Sequence, residues 1–231
     1  MLTPFDRPRD LSRILRAAVV AIPILFGPGA SFAGLSSSKP PSDEREDAGG
    51  KVLPARAEPF GYSLKDAART TAVFNVGDHS GPPPELPFVM LYSTPTNTVT
   101  VDRATVLYVP VLQNDDAPPV IGDFPNVDNE AALIRYTFSG KELGVQYATI
   151  TVDGRQTSLS HEYVSGATVA TPDGGKHYMV IAAYLSPLKP GRHKITISAL
   201  ATGTALVAWC AFTGFCTDSY AFTIDYTVDV R

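Results

Sequence analysis

The closing stretch Tyr220–Val230 (YAFTIDYTVDV) alternates apolar and polar residues from Phe222 to its end, and similar β-type runs extend back to Phe88. A side-chain period of two sends alternate residues to opposite faces of an extended strand, so a chain that repeats it must stack one-sided strands into layers. The runs predict strands at Phe88–Tyr92, Thr98–Asp102, Thr105–Leu112, Val145–Val152, Tyr178–Leu185, His193–Leu200, Ala205–Phe212 and Tyr220–Val230. Asp153-Gly154 and Pro190-Gly191 read as turns between them. Aromatics and β-branched residues are too frequent for a disordered chain, and the 18 glycines show no collagen period.

Two short helices are predicted beside the strands. Ser63 with Asp66 three residues on is a variant of the capping box, and Leu64, Ala67, Ala68, Thr71 and Phe74 then share one helical face over Leu64–Phe74. A second helix fits Asn129–Phe138, capped by Asp128. Between the first helix and the strands, Gly77–Pro84 must be a loop, because three consecutive prolines forbid a ladder. The expected fold is therefore mainly β: an antiparallel β-sandwich, Ig-like or jelly-roll-like, with one or two short helices.

The N-terminus has a different character. Arg7, Arg9, Arg13 and Arg16 precede the apolar run Ala17–Phe26, followed by Gly-Pro-Gly and then Ser31-Phe32-Ala33. This is the three-part pattern of a secretory signal peptide, with cleavage expected after Ala33 and delivery to the periplasm or the medium. The ten-residue run is too short to span a bilayer, so no stable membrane insertion is expected. Residues 34–59 are rich in Ser, Pro, Gly and charge, and read as a flexible spacer ahead of a folded domain at 60–231. Removing residues 1–33 takes the formal net charge from −4 to −6, which excludes the basic footprint of a nucleic-acid binder.

The two cysteines, Cys210 and Cys216, lie in CAFTGFC. In an oxidising compartment they are expected to form a disulfide, with Gly214 letting the chain turn back; a redox pair or half a metal site is the sharper alternative.

Several of these stretches resemble a loosely defined group of secreted bacterial proteins of uncharacterised function with a mainly β domain. The resemblance rests on Leu107–Asn114 (LYVPVLQN), on Thr151-Val152-Asp153-Gly154 with the later Tyr163, and on Tyr178–Thr196 with the closing strand Ala221–Val230. It implies a secreted β domain and brings no catalytic residues. The group is often Trp-rich around Gly61–Phe74, where this chain has no tryptophan.

Candidate chemistry therefore comes from the residues themselves. Asp115, Asp116 and Asp123 sit in an Asp/Asn-rich stretch of the kind that supplies oxygen ligands to Ca²⁺. The ordinary alternative is a solvated loop, in which removing Asp116 would cost little. Asp78 with His79, and His161 with Glu162, are candidate acid–base groups for a hydrolase, without a nucleophile elbow to complete them. Tyr163 and Tyr178 are candidate aromatic contacts for a sugar, although strand tyrosines commonly pack. The favoured expectation is a secreted, non-catalytic binding or structural protein for a glycan or a cell-envelope protein, with the hydrolase as the alternative.

Overall fold

A computed structural model describes residues 49–79 and 81–231. The predicted signal peptide 1–33 and the spacer residues 34–48 lie outside the described residues.

The strands are β1 (Val89–Met90), β2 (Thr98–Val101), β3 (Leu107–Asp115), β4 (Val145–Val152), β5 (Arg155–Ser158), β6 (Val164–Thr168), β7 (His177–Leu185), β8 (Gly191–Ala201) and β9 (Tyr220–Val230). They form a four-stranded sheet in the order β1-β3-β7-β6 and a five-stranded sheet in the order β2-β9-β8-β4-β5. Three helices accompany them: α1 (Leu64–Val76), α2 (Glu130–Phe138) and α3 (Thr204–Thr213). The fold is mainly β, as expected, but both sheets are mixed. β1 runs parallel to β3 and β2 parallel to β9, whereas every other neighbouring pair is antiparallel. β1 and β2 are reached through Pro-rich or irregular loops, so no hairpin turn sets their direction.

β7 shows why the core sits where it does. Its sequence HYMVIAAYL is apolar on both faces, and every residue after His177 is buried. An unbroken apolar run belongs to a strand covered on both sides. One cover is α1, which packs on β6, β7 and β3; the other is the five-stranded sheet, met where β3 touches β4 and β8. β9 instead keeps its alternation, with Ala221, Thr223 and Asp225 exposed and Tyr226, Val228 and Val230 buried. Each fully buried Leu, Ile or Val contributes roughly 1.5–3 kcal/mol of hydrophobic stabilisation.

Local signals act as anticipated in α1. Ser63 Oγ accepts the Asp66 N–H at 3.1 Å, and Asp66 Oδ2 accepts the Ser63 N–H at 3.1 Å. The cap of α2 is a correction: Asn129 Oδ1 accepts the Ala132 N–H at 3.1 Å, while Asp128 pairs with Lys65 at 2.8 Å. The start of the folded unit is a second correction. Residues 49–59, the described part of the expected spacer, belong to it. Leu53 N–H donates to Tyr184 O at 2.8 Å and Ser186 N–H to Lys51 O at 2.8 Å, extending the edge of β7 through backbone groups that composition does not register.

The third correction is Ala205–Phe212, which is helix rather than strand. Three alanines favour the helix, and Gly214, at φ 70°, ends it by donating its N–H to Cys210 O at 2.8 Å.

Three tyrosines lie between α1 and the four-stranded sheet, and their hydroxyls differ. Tyr178 accepts from Asn75 Nδ2 at 2.9 Å and donates to Gln113 Oε1 at 3.0 Å, whereas Tyr184 reaches Ser63 O at 3.4 Å. Tyr108, turned toward Thr71, has its buried hydroxyl without a completed hydrogen bond. Tyr178→Phe is therefore expected to cost about 1–3 kcal/mol in urea denaturation, and Tyr108→Phe to be neutral or stabilising. Equal losses for the two variants would contradict this assignment.

Candidate functional site

The acidic residues after β3 hold the chain together more than they face solvent. Asp116 Oδ1 accepts the backbone N–H groups of Lys176 at 2.5 Å and His177 at 2.9 Å, and its Oδ2 lies 2.7 Å from His177 Nδ1. Burial opposes ionisation of this carboxyl. The N–H donors of Lys176 and His177 outweigh it and hold Asp116 below the usual carboxylate range. Asp115, one residue earlier, behaves oppositely: burial and the nearby Asp173 charge push it up to about 6.

Asp123 stands apart from both. Its side chain is 93% exposed, with Oδ2 3.7 Å from Lys141 Nζ, and its N–H donates to Glu142 Oε2 at 3.2 Å. Asp115, Asp116 and Asp123 thus do not converge as one set of Ca²⁺ ligands. Among the described residues, no group of three His, Cys, Asp or Glu side chains is placed to hold a metal ion.

The acid–base candidates lie on two different loops. His79, in the left-handed region at φ 56°, stacks on Phe74 at 4.5 Å and meets the edge of Tyr92 at 5.7 Å, just past β1. Asp78 is exposed beside it. His161 and Glu162 lie in a 3-10 turn, His161–Tyr163, that leads into β6. β1 and β6 are the opposite edges of the four-stranded sheet, about 14 Å apart at the ordinary strand spacing. His79 is placed by Phe74 and Tyr92, and His161 with Glu162 by the turn into β6, so different elements position the two pairs. Glu162 accepts from Ser160 Oγ at 3.2 Å and borders a shallow cleft of about 470 Å³ with Arg56 and Glu130.

The tyrosine candidates are packing residues. Tyr178 is 0% exposed within the α1 network, and Tyr163 is buried with its hydroxyl donating to Leu53 O at 3.1 Å. Neither is presented to a ligand. His193, the remaining strand histidine, is buried with Nδ1 2.7 Å from Asp153 Oδ2 and Nε2 2.8 Å from Lys189 O. Both ring nitrogens are committed, which pins the Asp153-Gly154 turn to β8.

The surface that residue-by-residue reading missed is on α3. Cys210 and Cys216 are disulfide-bonded, with Cα atoms 4.7 Å apart, tying the last turn of α3 to the loop beyond it. The tie holds Phe215 against Trp209, ring centroids 5.6 Å apart, and Trp209 Nε1 donates to Pro119 O at 2.6 Å. Beside them an apolar groove of about 320 Å³ runs between Val120 and Ala208. Phe212 is 79% exposed, Phe215 42% and Val120 38%. The sequence does carry a signal for this face: no charged residue occurs from Ile195 to Thr217. Within that run α3 buries only Leu206 and Cys210, which leaves Phe212 in solvent.

No family model matches the chain, and no curated protein matches it. Among solved structures it is similar to the solution structure of amebosin, at 13% identity with a TM-score of 0.26, over 63% of this chain and 99% of that one. Among the described residues, no helix is long and apolar enough to cross a membrane.

Proposed function

We propose that the chain is an exported, non-catalytic binding module, freed of its leader after Ala33, that takes an apolar segment of a cell-envelope protein onto the α3 surface. Its two sheets are read as the layers of a sandwich of the Ig-like or jelly-roll-like kind. The observation that carries the proposal is Phe212, 79% exposed beside Trp209 and the groove at Val120 and Ala208. An uncovered aromatic patch of this sort is costly to leave in water and is characteristic of interaction sites. Aromatic anchors next to a preformed groove are also the usual centres of binding energy. The groove is lined mostly by apolar groups, which favours an apolar peptide segment over a glycan, whose hydroxyls need converging polar partners.

Phe212→Asp tests this reading. The side chain is exposed, so the variant should melt with the wild type. Its capture of a cross-linked envelope protein should fall tenfold or more, the equivalent of losing about 1.4 kcal/mol or more of aromatic burial. A glycan array run in parallel separates the ligand classes. Glycan binding that survives Phe212→Asp, or protein capture unaffected by it, would sink the proposal.

A further inference from the structure

The loop joining β6 to β7 comes back against the end of β3, where two neighbouring acids meet it differently. Asp116 takes two backbone N–H groups and the His177 ring, a fully bonded anchor. Asp115 is less well provided. Its Oδ1 accepts the Ala117 N–H at 3.2 Å, and its Oδ2 is buried with no hydrogen-bond partner. The Asp173 carboxyl at the loop tip faces it, with Thr171 Oγ1 donating to Asp173 Oδ1 at 2.6 Å. The tip is closed by Gly174 N–H to Thr171 O at 3.1 Å and Thr171 N–H to Gly175 O at 2.9 Å. Any side chain on Gly175 would run into Thr171 and Asp116, so the tip is seated closely on the strand end. Two facing carboxyls, one with a buried orphan oxygen, repel when both are ionised; one proton removes a charge and supplies the missing hydrogen bond.

We propose that the β6–β7 tip is clasped to the end of β3 by a proton held between Asp115 and Asp173, and that loss of this proton releases the tip. The charged and titratable groups around the pair are Asp116, Lys176 and His177 at the start of β7, Tyr178 beside them, Tyr136 of α2, and Glu142 behind it. Of these, Asp116 and His177 are bonded to each other, and burial keeps the two phenols protonated throughout the neutral range. Asp115 titrates at about 6 in the folded chain, against 3.8 as its ordinary value. The folded state therefore binds the proton more tightly. The clasp closes as pH falls through about 6, and the stability gained saturates near 4, where the unfolded chain also protonates.

Hydrogen exchange of the full chain in chelator-containing buffer at pH 5 and 7.5, corrected for intrinsic exchange, reads the clasp directly. The amides of Thr171 and Gly174 should lose about tenfold protection at the higher pH, while Val180 within β7 is unchanged. About tenfold is less than the displacement of Asp115 would give in a dry site, because solvent screens the pair. Asp115→Asn replaces the carboxyl by a neutral amide that can donate, and should keep the tip protected at both pH values. Asp173 is exposed, so Asp173→Asn folds even where the Asp115 variant does not, and should also abolish the pH response. Wild-type protection that does not change with pH overturns the proposal. So does a pH response that persists in these variants, because they leave Asp116 and His177 intact and would assign the effect to that pair.

Discussion

Gly203→Ala is expected to destabilise the domain by about 3–5 kcal/mol, lowering its melting temperature by roughly 8–15 °C. Gly203 precedes α3, and a methyl group there would be driven into the carbonyl of Glu142 and the backbone of Leu143. The obstruction is main chain, so no rotamer change relieves it. It would also break an unusual helix start. Gly203 N–H donates to Leu143 O at 2.8 Å, Thr204 N–H to Gly140 O at 2.9 Å and Ala205 N–H to Lys141 O at 3.0 Å. These carbonyls satisfy donors that a helix N-terminus otherwise leaves open. Gly144, at φ 61°, lies against Gly203 and permits the same approach from the other side. Gly140→Ala is the control: its φ is ordinary and nothing crowds its added methyl, so it should cost well under about 1 kcal/mol. Denaturation curves for the two variants that coincide would refute the close backbone contact as the source of stability.

Asp116→Ala is expected to cost about 2–4 kcal/mol, because it leaves two backbone N–H groups and the His177 ring without their acceptor. The composition of the loop suggested an exposed acid with little to lose, whereas the side chain is only 20% exposed. The pH dependence follows from the direction of its shift. Asp116 titrates below 3.8 when folded, so its contribution is present above the unfolded value and is lost as pH falls through the lower folded one. Wild type and Asp116→Ala should therefore differ in full at pH 6, and the gap should narrow as pH falls below 3.8 through the lower folded value. Asp116→Asn should recover part of the loss, since its amide oxygen still accepts the backbone N–H groups but without charge assistance. Parallel stability curves down to acid pH would show that ionised Asp116 is not the anchor.

The surface and the acidic clasp were legible in the sequence to different degrees. Asp115 and Asp116 stood out as chemistry-bearing residues, but their partners Asp173 and His177 are about 60 residues away and join them only through the pairing of β3 with β7. Tyr163 and Tyr178 were visible as aromatics, yet whether a strand tyrosine faces a ligand or a helix depends on what covers the sheet. Asp78, His79, His161 and Glu162 had the right side chains for acid–base work. Only the fold decides which elements hold them: the loop after α1 for one pair and the turn into β6 for the other.

What the sequence determined by itself was whatever depends on neighbours along the chain. The period-two alternation specified β9, and the uninterrupted apolar run Tyr178–Leu185 specified β7 as a strand. The Ser63–Asp66 reciprocal cap began α1, and the spacing of Cys210 and Cys216 allowed their bond. Tertiary structure decided the elements whose hydrogen-bond partners are remote. The segment at Lys51–Leu53 joins the fold through the backbone of β7, and β5 (RQTS) is a strand because β4 offers it an edge. α3 has no side-chain cap to announce it, and its opening N–H groups are satisfied by carbonyls some sixty residues earlier. An apolar run with a local cap reads as a helix. The same run capped from across the molecule reads as a strand until the fold supplies the carbonyls.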